Sequence, residues 1–184
     1  RDKVQVRLGQ GLDAQGNINA PAVRRAIKAL QQLQQVYRAY DAEVRVVGTY
    51  ALRRARNRQE VLNEIRQETG IDVEVVDGTE EGRLAYVGVR QGLELHDARC
   101  MVVDIGGGST EIVFGQGEAP HKIISLKLGA VVLTKRHFIE AVPTESELDD
   151  LRAHIDEVIE PVGKEFKPGM VERCIASSGT AKAI

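Results

Sequence analysis

Three consecutive glycines, Gly106-Gly107-Gly108, separate the run Cys100-Met101-Val102-Val103-Asp104-Ile105 from Ser109-Thr110-Glu111-Ile112-Val113-Phe114-Gly115. No other stretch restricts what the chain can fold into so tightly. The continuous apolar residues 100–103 predict a strand covered on both faces. Asp104 ends it, the glycines make a tight reversal, and Glu111 to Gly115 returns as a partner, so a β-hairpin is expected. Glycines without Cβ atoms let backbone N–H groups converge on an anion, and Ser109 and Thr110 add hydroxyl donors, which together describe a phosphate cradle. An ordinary hairpin whose glycines supply positive φ would carry the same residues. A plain turn, however, has no use for Asp104 at the end of a buried strand, where an unpaired charge is costly. Asp104 and Glu111 bordering a phosphate loop are the oxygen ligands that Mg²⁺ takes, directly or through its waters.

The remainder of the chain alternates strands and helices. Val4 to Leu8 alternates apolar and polar residues and predicts a half-buried strand. Asn19 caps a helix with Pro21 in its first turn and Val23, Ile27, Leu30, Leu33 and Tyr37 on one face. Val44–Val47 reads as a strand and Thr49–Arg56 as a short basic helix. Asn57 with Glu60 resembles a capping box, and Gly70 closes the helix that follows. Val73–Val76 is a strand, after which Asp77-Gly78-Thr79 turns into a helix from about residue 80 whose buried stripe is Leu84, Val87 and Leu93. Lys122–Lys127 is a further strand. A helix over 144–164 carries Leu148, Leu151, Ile155 and Ile159 on one side, and Arg173–Ala176 is a short strand. The order is that of an α/β protein with antiparallel hairpins mixed in.

Three weaker signals carry chemistry. Ser177-Ser178-Gly179-Thr180, between a strand and a helix start, would place donors at an anion site, although a polar strand-to-helix turn looks the same. Glu80 and Glu81 open a helix, where acidic residues commonly complement the dipole. That dipole lowers a carboxylate pKa, while a polyanionic substrate beside it raises the pKa and makes Glu81 a plausible activator of water in the loaded site. Arg53, Arg54, Arg56 and Arg58 present forked donors suited to phosphate oxygens, or simply a solvated face. Glycine-rich P-loop, nucleophile-elbow and zinc-protease patterns are absent, and His96, His121, His137 and His154 stand at no ligand spacing.

Composition narrows the classes. The 184 residues are 42% hydrophobic and 28% charged with a net charge of −2, which suits a packed globular protein and argues against a nucleic-acid binder driven by backbone neutralisation. The two cysteines, Cys100 and Cys174, each flanked by apolar residues, suit reduced core thiols of a cytoplasmic protein. No apolar run is long enough to span a bilayer, so no membrane partner is expected.

Taken in order, Arg7–Leu12, Val47–Asn57, Gly78–Leu84, Val103–Glu111 and Ala176–Thr180 resemble the exopolyphosphatase / guanosine pentaphosphate phosphohydrolase (Ppx/GppA) family over nearly the whole chain. The resemblance implies an actin-like, ribonuclease H-like (ASKHA) two-lobed fold, with the remainder of lobe one in residues 1–84 and lobe two in 85–184, cut short at its C-terminus. It implies a bacterial, cytoplasmic hydrolase that releases terminal phosphate from inorganic polyphosphate or guanosine pentaphosphate (pppGpp to ppGpp), a reaction of the stringent response. By motif, Glu81 matches the catalytic base, and Asp104 and Glu111 the acidic pair associated with Mg²⁺ or another divalent cation. Gly106, Gly107, Gly108, Ser109 and Thr110 match one phosphate loop, Ser178, Gly179 and Thr180 another, and Arg53 a phosphate-contacting arginine.

In-line attack on a terminal phosphoryl group needs a placed water, a metal and donors for developing charge, which agrees with this inventory. The family's first strands, with their own Asp-x-Gly-Ser-type loop, are expected before residue 1, so the 184 residues alone are expected to be inactive. Homodimerisation of the full-length protein is left open by the resemblance. Two alternatives remain: a sensor that binds polyphosphate or an alarmone without turnover, and an actin-fold kinase or ATPase.

Overall fold

The structure, a computed structural model, describes residues 4–40 and 43–183. It divides into two compact units, residues 1–77 and 78–184. No helix among the described residues is long and apolar enough to cross a membrane.

In the first unit, helix α1 spans Ala20–Tyr37, and Asn19 caps it by accepting from the Ala22 N–H. Strand β1 (Val46–Gly48) leads into the short helix α2 (Tyr50–Arg54), then α3 (Arg58–Thr69) and strand β2 (Val73–Val75), which pairs parallel with β1. Gly70 ends α3 with φ 71°, the left-handed conformation that glycine adopts without strain. Val23, Ile27, Leu52, Val61 and Ile65 form the core, so α1 and α3 bury the stripes that their spacing implies.

Two expectations fail in this unit. Residues 4–7 form no strand and Leu8–Gly11 is a 3-10 turn, because alternation alone makes no strand without a partner, and none pairs here among the described residues. The Val6 carbonyl instead accepts from Arg25 Nε at 3.0 Å. Asn57 forms no capping box: its side chain accepts from the Ile18 N–H at 2.9 Å and donates to the Ile18 carbonyl at 3.0 Å, a long-range pair no local motif encodes.

The second unit is a four-stranded sheet, order β5-β4-β3-β6, with β3 Cys100–Ile105, β4 Thr110–Gln116, β5 Ala119–Leu126 and β6 Arg173–Ser177. β3 pairs antiparallel with β4, β4 antiparallel with β5, and β6 lies parallel to β3. Helix α4 (Gly78–Gly92) packs on one face of this sheet. Its buried residues are Gly82 and Tyr86, with Val89 half-buried, while Leu93 is 48% exposed. The stripe is therefore set by where the helix can approach the sheet and not by its largest apolar residues. A Cβ on Gly82 would stand 2.7 Å from Ile123 Cγ2 and 3.1 Å from Val113 Cγ2.

Helix α5 (Ala130–His137) was not legible in the sequence, and α6 (Glu145–Gly163) begins at a capping box of Thr144 and Glu147. In α6 the apolar side drifts at its end: Val162 is buried and Ile159 is 40% exposed. Helix α7 is the single turn Ser178–Ala181. Cys100 is buried as expected, but Cys174 is exposed, because among the described residues β6 pairs on one side only and one of its faces is left open.

Gly82→Val should destabilise the protein by about 1–3 kcal/mol through overpacking. Gly88→Ala, where an added Cβ meets nothing within 4 Å, should stabilise it by about 0.5–1 kcal/mol. Urea unfolding of both variants against wild type checks the pair. Tyr86 is fully buried and its hydroxyl donates to the Gly117 carbonyl at 2.9 Å; burial pushes its phenol pKa above the usual value. A raised folded pKa means stability that is complete below pH ~10 and is lost as pH rises through the folded value. Tyr86→Phe should cost about 1 kcal/mol at neutral pH and lessen the alkaline loss, as followed by unfolding free energy against pH.

Candidate functional site

Strand register brings the polar residues together. Asp104 on β3 lies directly opposite Glu111 on β4, Glu111 is opposite Ser125 on β5, and Asp104 is beside Ser177 on β6. Paired residues project to the same face, so these four make one row across all four strands. On that face the preceding positions are apolar: Val102 with Val113 and then Cys100, with Ile123 and Ile175 packed against them. The row is thus the polar end of the core that α4 covers.

Glu111 is 1% exposed, and its Oε1 accepts from Ser125 Oγ at 2.8 Å. Asp104 Oδ1 is buried and has no hydrogen-bond partner among the described residues. A buried anionic oxygen without a donor is costly, and a cation satisfies it. No group of three or more His, Cys, Asp or Glu forms a metal cluster among the described residues. What Asp104 and Glu111 offer is a pair of carboxylates of the kind that Mg²⁺ takes together with water and substrate oxygens.

The glycine loop is held from behind. The Gly106 N–H donates to the Ser109 carbonyl at 2.9 Å; the Gly106 carbonyl accepts from the Ala130 N–H, and the Gly107 carbonyl from those of Val131 and Val132, at 3.0, 2.9 and 3.1 Å. These carbonyls plug the start of α5. In a trans peptide the following N–H points the opposite way, so the N–H groups of Gly107 and Gly108 face away from α5. No acceptor among the described residues engages them. None of the three glycines takes a positive φ, so the turn explanation for them does not hold. Close approach bears on two of them: a Cβ on Gly106 would stand 3.0 Å from the Ser109 carbonyl oxygen and one on Gly107 3.3 Å from Val131 Cγ2, while a Cβ on Gly129 would stand 2.2–2.3 Å from the Gly108 backbone.

The other sequence-selected residues divide by what they do. Ser178, with φ 78°, donates its hydroxyl to the Ile105 carbonyl, which joins two segments 73 residues apart. Gly179 is exposed and Thr180 half-buried in the same turn. Ser109 and Thr110 are buried, and the Thr110 hydroxyl is committed to the Leu128 carbonyl. Glu80 and Glu81 lie in the first turn of α4. Glu80 forms a bidentate pair with Arg83 at 2.7 and 2.8 Å, whose hydrogen bond raises the Arg83 pKa. Glu81 follows Gly78 by three positions, on the flank of the helix that meets the sheet.

Gly78 itself would place a Cβ 2.2 Å from Ser125 Oγ and 3.6 Å from Glu111 Oε1, so the start of α4 lies on the polar row. Asp104, Glu111, the glycine loop, Ser178 and the first turn of α4 therefore belong to one end of the second unit. Arg53 belongs to the first unit, where its Nη1 donates to the Val76 carbonyl at 2.7 Å; Arg54, Arg56 and Arg58 are exposed. Ser125 escaped the sequence reading. Its signal was a hydroxyl two positions after Ile123, on the apolar side of a strand.

The pattern of the Ppx/GppA phosphatase family matches residues 1–184. A guanosine-5'-triphosphate,3'-diphosphate pyrophosphatase of Photobacterium profundum is 34% identical over 183 residues, 99% of this chain and 37% of the relative. Among solved structures, an exopolyphosphatase from Cytophaga hutchinsonii aligns with a TM-score of 0.86 at 30% identity, over 96% of this chain and 57% of that one. The Aquifex aeolicus PPX-GPPA enzyme aligns with a TM-score of 0.75 at 34% identity, over 95% and 57%. The chain therefore spans less than two thirds of the length of each of these relatives.

Gly129→Ala should push the glycine loop off α5 and cost about 1–3 kcal/mol. Denaturant unfolding monitored by circular dichroism reads that loss, and an unchanged midpoint would contradict the close approach.

Proposed function

The chain belongs to the Ppx/GppA phosphatase family, and from that membership we propose that the protein is a phosphohydrolase releasing the terminal phosphate of inorganic polyphosphate or guanosine pentaphosphate. The observation that carries this reading is the polar row Asp104–Glu111 lying under the first turn of α4, next to a glycine loop whose N–H groups face away from α5. In this reading residues 1–84 are the remainder of lobe one and residues 85–184 lobe two of the actin-like fold.

The N–H groups of Gly107 and Gly108 receive the oxygens of the terminal phosphate, a role that needs backbone and no side chain. Ser109 and Thr110 complete that loop, with the Thr110 hydroxyl donated to the Leu128 carbonyl. Ser178 ties the second loop, with Gly179 and Thr180, to the end of β3. Arg53, which the motif matches to a phosphate-contacting arginine, has the forked donor group suited to that role.

Glu81 takes the proton of the attacking water. Substrate phosphates beside it favour its protonated form and so raise its basicity when the site is loaded. Asp104 and Glu111 would hold the divalent cation, which offsets the charge that develops on the phosphoryl oxygens.

The test uses the full-length protein with Mg²⁺, offering long-chain polyphosphate and guanosine pentaphosphate side by side. Phosphate release from at least one should fall by about 10²–10⁴-fold in Glu81→Gln, the usual contribution of a general base, and the ratio of the two rates names the substrate. Binding of either without release would replace this reading by the non-catalytic sensor. Tight ATP binding with no polyphosphate hydrolysis would replace it by the kinase.

A further inference from the structure

Ser125 is assigned no role by family membership or by the site residues named so far, yet three elements meet on it. It lies opposite Glu111 in the β4–β5 register and gives its only proton to Glu111 Oε1 at 2.8 Å. It also receives the start of α4, where anything larger than glycine at position 78 would overlap it: a Cβ there would stand 2.2 Å from Ser125 Oγ and 2.6 Å from its Cβ.

A glutamate side chain has three torsions, and burial to 1% exposure does not by itself select one. The hydrogen bond does, because turning the carboxylate away would leave a buried anionic oxygen without that donor. We propose that Ser125 is a positioning residue for the divalent-cation site: its hydroxyl fixes the Glu111 carboxylate, and its contact with Gly78 sets the approach of the first turn of α4, which carries Glu81. The role of the site rests on the hydrolase reading above; the hydrogen bond and the contact do not. Groups that orient metal-binding carboxylates typically contribute about 10–100-fold in metal affinity or activity.

The experiment titrates the full-length protein with Mn²⁺ as a spectroscopic probe, reading free Mn²⁺ by electron paramagnetic resonance. Ser125→Ala should raise the Mn²⁺ dissociation constant about 10-fold or more, and Gly78→Ala, which displaces Ser125, should raise it similarly. Combining the two should add little, since both break one contact. Ser125→Thr and Ser125→Val are nearly equal in volume and shape, so most of the steric cost is common to the two and the hydroxyl is what distinguishes them. Binding retained in Thr and lost in Val assigns the effect to the hydroxyl even if each variant is less stable. Asp104→Asn serves as the control that weakens binding.

Wild-type affinity in Ser125→Ala and Ser125→Val, with weakened binding in Asp104→Asn, would overturn the proposal, and so would a wild-type protein that binds no Mn²⁺. Phosphate release measured in parallel separates the two readings. Mn²⁺ affinity that follows the hydroxyl in a protein hydrolysing neither substrate would sink the hydrolase and leave Ser125 as the positioning residue. Active variants with unchanged Mn²⁺ affinity would do the reverse.

Discussion

Asp104 and Glu111 sit directly opposite one another on adjacent antiparallel strands. Like charges in that position repel, and one of them is almost wholly buried. The second unit is arranged around this arrangement. Ser125 donates to Glu111 from the next strand, Asp104 keeps an oxygen that no protein donor among the described residues satisfies, and the apolar residues before them on the same face supply the core that holds the strands in register. Because the side-chain period of a strand is two, a slip of one residue would move both carboxylates to the other face, so the core and the site specify the same register.

Small residues then decide how close the other elements come. Gly78 and Gly82 let α4 settle on Ser125, Val113 and Ile123, while Tyr86 fills the space over Gly115 further along. Gly108 and Gly129 let two backbones meet so that α5 takes the loop carbonyls and the loop N–H groups are turned away from it. In both places the glycine provides proximity and no special dihedral. The polar row and the glycine loop are thereby built from strand ends and helix starts, elements more rigid than free loops, which suits the proposed phosphoryl transfer.

Local patterns were legible where the chain satisfies itself locally. Asn19 caps its helix, Gly70 stops α3, and the hairpin around Gly106–Gly108 forms as the apolar runs imply. The failures share one cause. Val4–Leu8 alternates like a strand but lacks a partner among the described residues, Asn57 spends its amide on Ile18 at a separation of 39 residues, and α4 buries Gly82 and Tyr86 in preference to Leu93. Each outcome depends on a distant neighbour. The candidate site follows the same division: Asp104, Glu111 and the loop were readable as a motif, and Ser125 was not.

By itself the sequence determined the family, the α/β order of elements, the hairpin that sets Asp104 near Glu111, and the residue types suited to phosphate and a hard cation, since all of these follow from short-range spacing and chemistry. Only the tertiary structure decided that Glu80 is engaged by Arg83, that Thr110 is spent on Leu128, that Ser178 reaches Ile105, and that Ser125 stands between Glu111 and the start of α4. Those facts depend on which hydrogen-bond partners packing brings within about 3 Å, and a hydroxyl or carboxylate carries no mark in the sequence of the partner it will meet.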